Sequence, residues 1–176
     1  MSPSDSLTEK FIAKAQLAGA EVEQFSTPGD AVDFLKAFFR NHNIEGGLIS
    51  AGLKSAGPWA DAFPNLAMKA ESMWVDAGLV AADFGVAETG TLVHFDLGDD
   101  EKNVWTLPET CICLLEKRVI VPDLEAVSSR IAAHLAASGT PSPQVSLVTG
   151  PSRTADIENQ LTIGVHGPSR LMILIW

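Results

Sequence analysis

The chain has 176 residues, of which 46% are hydrophobic and 19% charged, a composition typical of one globular domain rather than a disordered segment. Its formal net charge of −10 disfavours binding to nucleic acid or to an anionic membrane surface, because both need clustered Lys and Arg. The first ten residues are polar, and no run reaches the roughly 18 apolar residues of a membrane span, so we expect a cytoplasmic protein.

Residues 1–44 predict a helical N-terminal part of a single domain that spans residues 1–176. The first helix is expected to begin at a capping box in residues 6–9. A short strand is predicted over residues 21–25. The second helix is expected to begin at Thr27, which is followed by Pro in the first helical position.

The middle of the chain predicts short elements separated by loops. Residues 48–50 indicate a brief buried strand, and residues 51–70 indicate a loop with one short helix over residues 62–68. Two strand-like runs on either side of Thr89 predict a local antiparallel hairpin. Residues 96–103 predict a polar loop, whose four acids match no calcium-loop spacing.

Strands and helices alternate through the rest of the chain. Strands are predicted over residues 110–115, 119–121 and 145–148, and a helix begins at Pro122. Residues 171–176 form a wholly apolar strand, which is typical of a strand buried on both faces. The pattern predicts an α/β fold of three layers, with a mostly parallel sheet between helices and the antiparallel hairpin as a local exception.

The two cysteines, Cys111 and Cys113, are two residues apart and therefore point to the same face of a strand. A disulfide between such close neighbours would be strained, and two thiols cannot close a zinc or iron–sulfur site. We interpret both as core residues in a reducing compartment. No His or Cys cluster suited to a metal is present, so neither a metal nor a cofactor is predicted on this chain.

Residues 150–158, GPSRTADIE, are the most informative segment of the sequence. They follow a predicted strand and are expected to turn into a helix capped by Ser152, Thr154 or Asp156, whose first N–H groups are unpaired. Arg153 adds a forked cation that suits a carboxylate or phosphate. The segment therefore indicates an anion site, or alternatively a well-capped helix with a surface Arg.

A second candidate segment is the run Glu88, Thr89, Gly90 and Thr91 in the predicted hairpin. Because ligands of open α/β sheets bind at the carboxyl ends of strands, both segments are candidates for a pocket. Gly90 would let the backbone approach a ligand. Glu88 could act as a general base or nucleophile, cap a turn, or pair with Arg153.

A third candidate is His166, in a Gly-bounded loop just before the last strand. It could donate a hydrogen bond to an anion or carry a proton, or it could simply bond to the backbone. The other histidines are assigned no functional role: His42, His94 and His134.

Together the runs AETGT (87–91), GPSRTADIE (150–158) and GVHGP (164–168) resemble the lactate-utilisation protein C family, also called the LUD domain, in order and approximate spacing. The resemblance covers roughly residues 45–176. It implies a fold related to the NagB/RpiA/CoA-transferase-like group. It also implies a part in oxidising L-lactate to pyruvate alongside two partner proteins that carry iron–sulfur clusters.

The sequence departs from this family at two places. Cys111 stands where family members usually carry His, and residues 102–105 lack an Arg that is common a little upstream. If those groups bind the anion in relatives, this chain binds it differently or binds another molecule.

Three functions follow from these observations. The first is a subunit or accessory protein of an iron–sulfur-dependent lactate oxidation system, in which Arg153 pairs with a small anionic metabolite. In that reading the N–H groups near Ser152 bind its oxygens, Thr89 to Thr91 shape the pocket, and His166 closes it. The second is a stand-alone CoA-transferase or sugar-phosphate isomerase using Glu88, a fold-level analogy. The third is a regulatory module that binds an anion without turnover.

Overall fold

The computed structural model of the chain describes residues 3–55, 58–68, 75–95, 99–137, 144–154 and 162–176. The α-helices in this part are α1 (Pro3–Leu17), α2 (Pro28–Asn41), α3 (Ala51–Ser55), α4 (Pro58–Ala62), α5 (Asp99–Thr106) and α6 (Leu124–Ala137), and a single 3-10 turn covers Lys117–Val119. The strands are β1 (Glu21–Gln24), β2 (Gly47–Ile49), β3 (Leu66–Ala67), β4 (Val75–Ala81), β5 (Phe84–Val86), β6 (Thr91–Phe95), β7 (Pro108–Leu115), β8 (Ile120–Val121), β9 (Val145–Val148), β10 (Arg153–Thr154), β11 (Thr162–Ile163) and β12 (Arg170–Ile175).

The centre of the fold is a parallel sheet of six strands within the described residues, in the order β1-β12-β7-β4-β2-β3. Side chains on β7 alternate between two hydrophobic cores. Cys111 and Cys113 face a core shared with α1 and α5, whereas Ile112 and Leu114 face a core covered by α2 and α4. The predicted α/β fold with a mostly parallel sheet is confirmed, and so is the common face of the two cysteines.

A second sheet of the described residues has the order β8-β5-β6-β9. The antiparallel hairpin is confirmed as β5–β6, with Val86 opposite Thr91. It is part of a larger sheet, because β9 pairs with β6 antiparallel and β8 pairs with β5 parallel. One face of this sheet joins the core beneath α1, and the other is covered by α6 through Val127.

The N-cap predicted for the second helix is confirmed. The Thr27 hydroxyl accepts from the Asp30 N–H at 3.2 Å, and the Asp30 carboxylate accepts from the Thr27 N–H at 3.0 Å. The capping box predicted over residues 6–9 is wrong, since α1 already begins at Pro3 and the Thr8 hydroxyl donates within the helix to the Ser4 carbonyl at 2.9 Å. Pro at the start of a helix loses no intrahelical hydrogen bond, which permits the earlier start.

Two loop predictions are also wrong. Residues 99–106 form helix α5, whose Val104 and Trp105 are buried. Asp96 lies outside the described residues. In residues 51–70 two short helices and strand β3 replace the single helix expected over residues 62–68.

The burial of the two thiols leads us to predict that they react slowly with thiol reagents in the folded protein. Cys111 and Cys113 are fully buried and free, and burial raises the pKa of both thiols. We expect a thiol reagent such as Ellman's reagent to label the native protein about 1000-fold or more slowly than the unfolded chain, because labelling requires unfolding. Rapid labelling of the native protein at pH 8 would contradict this burial.

Candidate functional site

The hairpin motif and the GPSR motif are neighbours in the structure. β6 and β9 pair side by side, which brings the ends that carry the motifs together. The hydroxyl oxygens of Thr91 and Thr149 lie 2.7 Å apart, and those of Thr89 and Thr91 also lie 2.7 Å apart. A chain of three hydroxyls therefore joins the two segments.

The loop that carries His166 is attached to the same place. The Ser152 N–H donates to the Pro168 carbonyl at 2.9 Å, and the Gly164 N–H donates to the Ser152 carbonyl at 3.0 Å. All three sequence motifs thus adjoin. We call residues 88–91, 149–154 and 164–168 the motif cluster.

Two glycines of the motif cluster serve packing. Gly90 and Gly150 have φ of +69° and +75°, a region that favours glycine. A Cβ at Gly90 would collide with the backbone of Ala15, and a Cβ at Gly150 would collide with the carbonyl of Ala18. The close approach that Gly90 permits is therefore to helix α1, where the sequence predicted an approach to a ligand.

The structure contradicts the helix cap predicted at Ser152, whereas the helix predicted beyond Thr154 lies outside the described residues. Arg153 and Thr154 form β10, which pairs antiparallel with Ile163 and Thr162 of β11. The N–H of Ser152, expected to bind ligand oxygens, is already bonded to Pro168. Asp156, the third predicted cap, lies outside the described residues.

The Arg153 side chain is exposed and packs against Gly19 at the end of α1, where a Cβ would collide with its Nη2. The carbonyl end of a helix attracts a cation, so this position is favourable without a ligand. No carboxylate of the described residues forms an ion pair with Arg153. The guanidinium therefore has no competing carboxylate within that part of the chain.

Glu88 is exposed in the turn between β5 and β6. Its backbone N–H donates to the Pro122 carbonyl at 3.0 Å, and no described residue forms a hydrogen bond with its carboxylate. Its catalytic role stays a prediction.

Two cavities border the motif cluster, and His166 lines both. The smaller, about 260 Å³, is also lined by Thr149, Ser152 and Trp105. The larger, about 650 Å³, has Asp76 and Glu109 in its lining. Among the described residues that line them, neither Arg153 nor Glu88 is found.

The cavities lie at the amino ends of the strands of the parallel sheet, whereas the sequence predicted a pocket at the carboxyl ends. The hairpin turn and the GPSR segment do follow the carboxyl ends of β5 and β9. The cavities, however, open at the amino ends of β7 and β12, next to Pro108 and Leu171. Sequence reasoning did not identify Trp105, because it predicted a loop over residues 96–103 where helix α5, which carries Trp105, begins. It also did not identify Thr149, which lies between the strand predicted over residues 145–148 and the GPSR segment.

In the described residues no group of three or more His, Cys, Asp or Glu is placed to hold a metal ion. No helix of that part of the chain is long and apolar enough to cross a membrane.

Comparison with known proteins places the chain in a family. The model of the LUD domain matches residues 8–176. The chain belongs to the LUD domain family. Among curated relatives, this LUD-domain chain is 39% identical over 100 residues to lactate utilization protein C 1 of Bacillus mycoides, which is 57% of this chain and 43% of that protein. It is 32% identical over 118 residues to lactate utilization protein C of Exiguobacterium sp., which is 66% of this chain and 51% of that protein. The chain thus spans about half the length of the curated relatives it matches.

A solved structure shares the fold of this LUD-domain chain. A DUF162 family protein from Deinococcus radiodurans superposes with a TM-score of 0.67 over 99% of both chains, at 23% identity. This likeness supports the α/β architecture. The relation to NagB/RpiA/CoA-transferase-like folds stays a prediction.

Proposed function

We propose that this chain takes part in lactate utilisation, as a subunit or accessory protein of a system that oxidises L-lactate to pyruvate with iron–sulfur partner proteins. Membership of the LUD domain family and the names of the curated relatives support the general role. The observation that carries the proposal is that the GPSR and His166 segments line one small cavity, to which the hairpin motif is joined through the hydroxyl contact of Thr91 with Thr149.

The cavity suits a small carboxylate. Its hydroxyl-bearing and imidazole-bearing residues, Thr149, Ser152 and His166, supply hydrogen-bond donors, and Trp105 adds an apolar wall. In a chain with a net charge of −10, an anion needs a local cation. We assign that role to Arg153, which lies next to Ser152 and would exchange its contact at Gly19 for a bidentate pair with the ligand.

In this proposed system, partner proteins carry out the electron transfer and this chain does not. Cys111 and Cys113 are the only cysteines of the chain, and both are buried in the core. Because a cluster is usually held by four cysteines, electrons from lactate would pass to clusters on partners. This chain would bind and orient the acid or dock the partners.

Arg153→Ala tests the proposal. We expect lactate affinity, measured by calorimetry, to fall by about tenfold or more, because a charge-assisted pair is lost. Growth on lactate should fail in a strain that depends on this copy, while growth on pyruvate continues. The matched control is Arg118→Ala, since Arg118 is also exposed and pairs with Glu116, which lies outside the motif cluster.

The outcomes separate the alternatives. Normal lactate growth with Arg153→Ala would contradict the proposal. If wild type binds lactate but Arg153→Ala, which binds it more weakly, still grows normally on lactate, the result would favour a regulatory module. A covalent adduct on Glu88 after incubation with acyl-CoA, detected by mass spectrometry, would favour the stand-alone transferase.

A further inference from the structure

A third cavity, of about 310 Å³, lies away from the motif cluster. Its floor is formed by Phe39, Phe63 and Leu66, which belong to the core on the other face of the parallel sheet. All three are buried, and the rings of Phe39 and Phe63 lie 5.1 Å apart. This floor is therefore apolar and already in place.

The mouth of this cavity is cationic. Lys36 and Arg40 are one turn apart on α2, and both line the cavity with exposed side chains. Like charges at this spacing repel each other. Neither side chain has an ion pair or hydrogen bond to a described residue. One carboxylate, Glu45, shares the lining, which leaves an excess of one positive charge.

From these features we infer that the cavity binds an apolar carboxylate, with the hydrocarbon on the aromatic floor and the acid group at Lys36 and Arg40. Pockets of about 300 Å³ and above, apolar with a few placed polar groups, are typical of small-molecule sites. Lactate is too polar to bind favourably against this apolar floor. The site is therefore separate from the proposed lactate site and does not depend on it.

Octanoate is the probe, and calorimetry is the measurement. Wild-type protein should bind octanoate saturably and more tightly than octanol, with the difference shrinking at high salt because the cations are exposed. The double variant Lys36→Ala/Arg40→Ala should bind octanoate about tenfold more weakly while its octanol affinity stays unchanged. The matched control, Lys10→Ala/Arg118→Ala, removes the same charge elsewhere and should bind as wild type does.

A second variant tests the floor independently. Ala62, at the end of α4, lines the cavity and is half-buried, so Ala62→Leu adds volume into the space. It should weaken octanoate and octanol alike. The inference is overturned if wild type shows no saturable octanoate binding, or if Lys36→Ala/Arg40→Ala binds octanoate as wild type does. Arg153→Ala should leave octanoate binding unchanged, which separates this result from any failure of the lactate proposal.

Discussion

Replacing Gly150 by Ala is expected to cost about 3 kcal/mol of unfolding free energy and to lower the melting temperature by about 6–12 °C. Gly150 has a φ of +75°, which costs a non-glycine residue about 1–2 kcal/mol. The added Cβ would also collide with the carbonyl of Ala18. Backbone cannot rotate away as a flexible side chain can, so the end of α1 must shift. Thermal and urea unfolding measure the loss.

Gly52→Ala is the matched control. Gly52 lies in α3, and a Cβ there meets no heavy atom within 4 Å. The substitution should be neutral or stabilise by up to about 1 kcal/mol, since Ala is the better helix former. If Gly150→Ala were as stable as Gly52→Ala, the close contact between the motif cluster and α1 would be contradicted.

Gly90 offers an internal check on the same contact. Its Cβ would collide with Ala15 of α1, so Gly90→Ala should cost a similar amount. Because Gly90 and Gly150 share one partner helix, displacement by either substitution relieves the clash at the other. The double variant should therefore lose less stability than the sum of the two single losses.

These glycines show where sequence reasoning reaches its limit. The sequence indicates that Gly90 in the hairpin turn permits a close approach, but it does not identify the approaching group, and it makes no such prediction for Gly150. That group is α1, which precedes Gly90 by more than 70 positions and Gly150 by more than 130. Only the tertiary fold supplies this neighbour.

Local signals were predicted well for physical reasons. The Thr27 cap depends on residues three apart, and the fully apolar strand over residues 171–176 requires burial on both faces. The cap predicted at Ser152 was wrong because Ser, Thr and Asp cap helices and also occupy turns. Pairing of Arg153 with Ile163 is not local, and no short pattern encodes it.

His94 was given no role from sequence, yet its burial in the structure makes it a group whose protonation we expect to destabilise the fold in acid. It is 1% exposed, its ring lies 4.1 Å from that of Trp105, and its Nε2 has no hydrogen-bond partner among the described residues. Burial lowers the pKa of His94 from 6.5 to about 3, and a hydrogen bond to the backbone of Ala81 only partly opposes this. The folded protein therefore holds a neutral His94 throughout the mildly acidic range.

The unfolded chain, in contrast, binds a proton at His94 below pH 6.5. The contribution of His94 to the free energy of unfolding is therefore fully present above pH 6.5. It is lost as the pH falls toward 3, by about 1.4 kcal/mol per pH unit. At pH 4.5 the loss from this group is roughly 2–3 kcal/mol. Urea unfolding at pH 7.5 and 4.5 measures it.

His94→Phe isolates the contribution, because Phe keeps an aromatic ring against Trp105 and cannot take up a proton. This variant should lose roughly 2–3 kcal/mol less than wild type between pH 7.5 and 4.5. His166→Asn removes an exposed histidine instead and should retain the wild-type acid loss. Equal acid losses in wild type and His94→Phe would mean that His94 is protonated in the folded state, and hence that its ring reaches water. Because His94 is buried against Trp105, we expect the opposite result, in which wild type loses more stability in acid than His94→Phe does.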